Sequence, residues 1–141
     1  MAALQSTIDI ARPPHDVFAY ATDPSRFAEW QADVVGVQVG DDAEFTTTRR
    51  INDAERAMRQ RITHNDPPHR WAAQGIDGPV RAHATITVEP LDDGTRSRVT
   101  FTLDFEGHGI GVALLPLVRR QSRRAAPVSY QKLRRVLELR H

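Results

Sequence analysis

At 141 residues, with a net charge of +1 and no cysteine, the chain is sized for one domain with its own core, and it excludes disulfide staples, thiolate metal sites and cysteine nucleophiles. No apolar run approaches the roughly 18 residues of a membrane-spanning helix, and the N-terminus lacks a charged-then-apolar signal pattern. A cytoplasmic protein without integral membrane association is therefore expected.

The first predicted element is an alternating strand, Leu4 to Ala11, which ends because the pair Pro13-Pro14 cannot continue a hydrogen-bonded ladder. Pro14 suits the first turn of a helix, where its missing N–H has no partner to lose, and Asp16 places a negative charge among the free N–H groups of that turn. Val17, Phe18 and Ala21 form its short apolar stripe. Asp23-Pro24 repeats the signal, with Asp23 as N-cap, Pro24 as first helical residue, and Phe27 and Trp30 following at i, i+3. Trp30 is expected to anchor this second short helix.

From Val34 to Glu106 the text reads as strands. Val34–Val39 ends at Gly40-Asp41-Asp42, and the threonine-rich run Glu44–Asn52 breaks at Asn52-Asp53. Met58–His64 alternates into Asn65-Asp66-Pro67-Pro68, and Arg70–Gln74 closes at the glycines of 75–78. Val80–Glu89 leads to Asp92-Asp93-Gly94, a hairpin signal, and Thr95–Glu106 carries Val99, Phe101, Leu103 and Phe105 on one face. With the opening strand this makes about seven. No helix-length segment lies between them, so the pattern is an antiparallel meander and not a doubly wound parallel sheet.

From Ile110 the period becomes helical, through Leu114, Leu117, Val118, Gln121, Ala125, Val128, Leu133, Val136 and Leu137. Pro116 falls near the start, and Pro127 is expected to kink or split the helix. One curved sheet has one apolar face to cover, and only this helix is large enough to cover it. Charge is unevenly spread. Leu117–His141 holds eight basic residues against Glu138 alone, a net of +7, while the remainder holds 11 basic and 17 acidic, a net of −6. Such a segment either forms a solvated face or meets an anionic partner. It lacks the interleaved aromatics of nucleic-acid readers, so no nucleic acid is expected. Lys132 is the only lysine, and this arginine-rich usage reads as a GC-rich bacterial genome rather than as mechanism.

This order of elements, the opening ARPPHDVFAYATDPSRFAEW and the closing Leu133-Arg134-Arg135-Val136-Leu137-Glu138 resemble the START-like or SRPBCC superfamily over essentially the whole chain. Polyketide cyclases/dehydrases, lipid-transfer domains and coenzyme-Q-binding proteins belong to it. The resemblance implies a single α+β domain over residues 1–141 with the helix-grip fold, a curved seven-stranded antiparallel sheet wrapped around a long C-terminal helix, with two short helices between strands 1 and 2. It also implies an apolar cavity between sheet and helix.

A dry void of roughly 300 Å³, the lower range of ligand pockets, would cost about 7 kcal/mol, so such a pocket is wet, occupied or nearly collapsed. Inward polar side chains mark the first two states. Met58, Gln60, Ile62 and His64 share one face of their strand, opposite Arg59, Arg61 and Thr63, which directs Gln60 and His64 inward. The expected pocket residues are Met58, Gln60, Ile62, Trp71, Ala84, Phe101, Leu103, Leu114 and Val118. The leading reading is a binding module for a small apolar or aromatic molecule: a lipid, polyketide or quinone. The alternatives are a cyclase or dehydratase, with His64 as general base and Gln60 orienting a carbonyl, and an interaction protein using the arginine-rich helix. His64, Asp66 and His69 have no convincing metal-ligand spacing across the Pro67-Pro68 turn, and no metal or cofactor is expected. His83 falls on the outer face, and His15 reads as exposed. Gly107-His108-Gly109-Ile110-Gly111 lacks the following strand of a dinucleotide-binding unit; it reads as a hinge, with His108 at the pocket entrance. Oligomeric state is left open.

Overall fold

In the computed structural model, residues 4–51 and 53–139 are described. Seven strands, β1 (Leu4–Ile10), β2 (Val34–Val39), β3 (Glu44–Ile51), β4 (Ala54–Asp66), β5 (Arg70–Gly75), β6 (Val80–Leu91) and β7 (Arg96–Gly107), form one sheet. The order across it is β1-β7-β6-β5-β4-β3-β2, with every neighbouring pair antiparallel. Each hairpin pairs chain neighbours, and β1 closes the far edge on β7.

Between β1 and β2 lie α1 (Pro14–Ala21), a single 3-10 turn (Pro24–Arg26) and α2 (Phe27–Trp30). Pro14 opens α1, and the Asp23 carboxylate accepts the Ser25 N–H at 3.0 Å to cap the turn that follows. The Asp92-Asp93-Gly94 hairpin needs three successive positive φ angles, 50°, 60° and 86°, which Asp and Gly tolerate better than other residues.

One long helix, α3 (Gly111–Leu139), lies on the concave face. Neither Pro116 nor Pro127 splits it, contrary to expectation for Pro127, because its buried stripe continues on both sides of that residue: Val118, Ser122 and Ala125 before, Ser129, Leu133 and Leu137 after. The stripe also differs from the expected one. Val128 and Ile110 are exposed and Gln121 is only half-buried, while two serines take core positions. Val118, Ala125, Leu133 and Leu137 are buried as expected, and the difference lies at the positions between them. Gly111 packs so closely on Pro79 that a Cβ would overlap the Pro79 carbonyl oxygen, which fixes where the helix leaves the sheet. At its other end, Arg12 Nη1 donates to the Leu137 carbonyl and the Ala11 N–H donates to Glu138 Oε2, each at 2.9 Å.

The core divides into two groups. The larger is aromatic and holds Phe18, Phe27, Trp30, Phe45, Trp71 and Phe101 with Leu133 and Leu137. The smaller is mainly aliphatic, with Ile51, Met58, Val80, Ala82 and Val118 beside a single phenylalanine, Phe105, and against it Leu103, Leu114, Leu115 and Leu117 pack. Arg59 and Arg61 meet Glu44 on the outer face, where they hold its carboxyl below the usual range. Asn52, the expected break after β3, lies outside the described residues, as does Arg140 of the basic tail.

Leu133 is fully buried where α3 meets β1 and the aromatic group. Leu133→Ala is expected to cost about 2–5 kcal/mol, read as a lower midpoint in chemical denaturation with an unchanged slope.

Candidate functional site

A cavity of about 60 Å³ lies between the middle of α3 and the sheet. Its walls follow from side-chain size. Along its buried stripe, α3 carries Val118 near one end and Leu133 and Leu137 near the other, while the segment facing the cavity holds Ser122, Ala125, Ala126 and Ser129. Opposite these small residues stand Phe27, Trp30, Phe45, Trp71 and Phe101, with Tyr130 from α3 beside them. Phe27 packs edge-on against Trp30, Phe45 and Trp71 at 5.6–6.1 Å between ring centroids. Tyr130 lies flat on Phe101 at 4.1 Å and 10°. Edge-on pairs of this kind contribute about 0.5–1.5 kcal/mol each beyond their buried area.

One end of the cavity is charged. Arg49 is only 6% exposed and donates through Nη1 to Asp33, 7% exposed, at 3.1 Å and 3.2 Å to the two carboxylate oxygens, and through Nη2 to Gln31 Oε1 at 3.0 Å. The alternation of β3 places it there: Phe45, Thr47, Arg49 and Ile51 all face inward. Asp33 and Gln31 come from the segment joining α2 to β2. Arg49 Nε, Trp30 Nε1 and Thr47 Oγ1 are buried without a hydrogen-bond partner among the described residues. Gln60 donates its amide to the Ala82 carbonyl at 3.2 Å, which leaves its own carbonyl oxygen without a described partner. Arg49, Trp30 and Gln60 belong to the cavity lining and Thr47 does not; an unmet buried polar group costs roughly 1–3 kcal/mol. Burial pushes the Tyr130 phenol up to about 12, with Asp33 adding to the rise and Arg49 opposing it.

Of the residues expected to line a pocket, Gln60, Trp71, Ala84, Phe101 and Leu103 line this one. Met58, Leu114 and Val118 pack into the aliphatic group instead, and Ile62 packs against the aromatic group outside the lining. His64 corrects the sequence reading. The β4–β5 register pairs Ile62 with Ala73 but His64 with Ala72, so Thr63 is an extra residue in a bulge. The bulge reverses the alternation, and Asn65, not His64, shares the face of its partner Trp71. His64 is exposed, as are Asp66 and His69, and no metal-binding cluster occurs among the described residues. His83 is on the outer face but not isolated: Glu106 takes its Nε2 at 2.9 Å on one oxygen and His108 Nε2 at 2.6 Å on the other. Both bonds hold the Glu106 carboxyl below its usual range, and His108 is thereby tied to the outer surface rather than to the entrance.

Sequence reasoning missed Phe27, Phe45, Arg49, Asp33, Ser122, Ser129 and Tyr130. The β3 alternation was sufficient to find Arg49, since a strand with Phe45 and Ile51 inward must also turn residue 49 inward.

The charged end and the phenol beside it can each be tested by substitution. Arg49→Met strands Asp33 in the core and should destabilise the fold by about 3–5 kcal/mol, whereas the double change Arg49→Met with Asp33→Leu recovers most of it in denaturant titrations. For Tyr130, the folded phenol titrates above its unfolded value of about 10, so its contribution to stability is complete below pH 10 and fades as pH rises to about 12; the loss of about 2–3 kcal/mol should be absent in Tyr130→Phe.

Comparison with known proteins agrees with this architecture. The aromatase/cyclase ZhuI from Streptomyces sp. R1128 superposes with a TM-score of 0.81 at 14% identity, covering 96% of this chain and 93% of that one. A protein from Thermus thermophilus gives 0.78 at 18% identity, covering 96% of each chain. A START superfamily protein from Mycobacterium smegmatis gives 0.74 at 11%, covering 96% of this chain and 99% of that one. A sequence search among curated proteins finds no match. The likenesses in structure show the helix-grip fold, and a family match running over residues 1–138 carries it further: the chain belongs to the polyketide cyclase/dehydrase and lipid-transport family.

Proposed function

We propose that the protein binds a small, oxygen-bearing aromatic molecule of the polyketide or quinone kind in the cavity under α3. The observation that carries this reading is the pairing of an aromatic wall with unmet polar groups: Arg49 Nε and Trp30 Nε1 as donors, the Gln60 carbonyl as acceptor. A simple lipid tail has nothing to offer these groups. A planar guest with carbonyl or phenol oxygens stacks on the rings and meets the donors at one end.

As it stands the cavity is nearly collapsed. A dry void of 60 Å³ costs only about 1.4 kcal/mol, and a benzene-sized guest needs about 150 Å³. Binding therefore requires α3 or the ring wall to move outward. Catalysis with His64 as base is not supported, because the bulge turns His64 to solvent. Asp33, the carboxylate in the lining, is held by Arg49. A carrier or sequestering role fits these residues better than a cyclase.

Both tryptophans of the chain wall the cavity, so their fluorescence reports directly on occupancy. Titration with 1,8-dihydroxyanthraquinone is expected to quench them saturably, with anthracene binding at least about tenfold more weakly, the worth of roughly one good hydrogen bond. Ser122→Leu fills the space beneath α3 and should abolish the quench, while His64→Ala leaves it unchanged. Non-saturating quenching, or an unaltered response in Ser122→Leu, overturns the reading.

A further inference from the structure

We infer that the solvent face of α3, led by the residues entering it, docks on an anionic lipid bilayer. Two independent features coincide on this element. The first is charge. Over 29 residues, about 43 Å of helix, α3 carries seven basic residues and one acidic, Glu138, which is engaged by the Ala11 N–H at the far end. Arg120, Arg123, Arg124, Lys132 and Arg135 are exposed, and none forms an ion pair with a described residue. The second is apolar exposure. Six large hydrophobic residues are markedly exposed among those described, and four of them, Ile110, Val112, Val128 and Leu139, lie on α3 or lead into it. Ile110 is 74% and Val112 58% exposed, and Val128 stands one turn from both Arg124 and Lys132.

Aliphatic side chains interleaved with arginines suit the boundary between headgroups and acyl chains. Nucleic acid is the poorer fit, since the helix exposes no aromatic residue to stack on bases; its Tyr130 is turned inward onto Phe101. The rest of the chain is net −5, so a negatively charged surface would repel the body and attract the helix, orienting the molecule with α3 toward the lipid. No described helix is long and apolar enough to cross a membrane, so the contact is peripheral. This inference stands without the ligand reading above.

The test is co-sedimentation of the full chain with vesicles of phosphatidylcholine alone and with about 30% phosphatidylglycerol, read without any small ligand. Binding is expected only to the anionic vesicles, and raising salt from about 0.1 M to about 1 M, which shrinks the screening length from roughly 10 Å to 3 Å, should release it. The triple change Arg120→Gln, Arg123→Gln and Arg124→Gln should weaken partitioning about 100-fold. Ile110→Ser with Val112→Ser should weaken it while keeping its salt dependence; both sets lie on exposed positions, and circular dichroism verifies the fold. Equal binding to both vesicle types, no binding to either, insensitivity to the arginine changes, or tighter binding to duplex DNA than to anionic vesicles would each overturn the proposal.

Discussion

Where α3 crosses the middle of the sheet it offers Ser122, Ala125, Ala126 and Ser129, while the strands and short helices beneath offer five aromatic rings, and neither side is long enough to close the gap. Large residues on the same helix, Val118 on one side and Leu133 and Leu137 on the other, are buried against the sheet and flank this gap. The space between is the consequence of that spacing. Filling it with larger side chains would gain dispersion contacts and shed the cost of a void, so the small residues are a standing loss of stability in exchange for room.

The polar end of the cavity is a second such loss. Arg49 and Asp33 satisfy each other, but their burial costs desolvation that a hydrophobic pair of similar volume would avoid. Arg49 Nε, Trp30 Nε1 and Thr47 Oγ1 are left without partners among the described residues. A core optimised only for folding would not combine these features. Arg49, Asp33 and Trp30 meet at one cavity, which sets this polar group beside the aromatic wall.

Both surfaces of α3 then have work of different kinds. Its inner stripe roofs the cavity; its outer side concentrates positive charge and exposed aliphatic residues. The helix is held at its C-terminal end by Arg12 and by the Glu138 clasp, and at its N-terminal end by the close packing of Gly111 on Pro79. A force applied to its outer side therefore acts on the same element that roofs the cavity.

Strand alternation, proline and glycine punctuation and the change of period at residue 110 were sufficient to specify the element order and the helix-covered sheet, because each is a local property with a fixed geometric repeat. Gln60, Trp71, Ala84, Phe101 and Leu103 were placed on the concave face by that repeat alone. The sequence could not reveal the bulge at Thr63, which carries no marker residue and yet turns His64 from an inward base into a solvent-facing side chain. Nor could it give which of two neighbouring α3 positions lies beneath the helix: Ser129 is buried there and Val128 is exposed, although Val118, Ala125, Leu133 and Leu137 fall inward as expected. Which strand faces which residue of α3, and how far apart they stand, depends on the summed packing of distant segments. That is why the fold was written in the chain while the cavity emerged only when the chain was closed on itself.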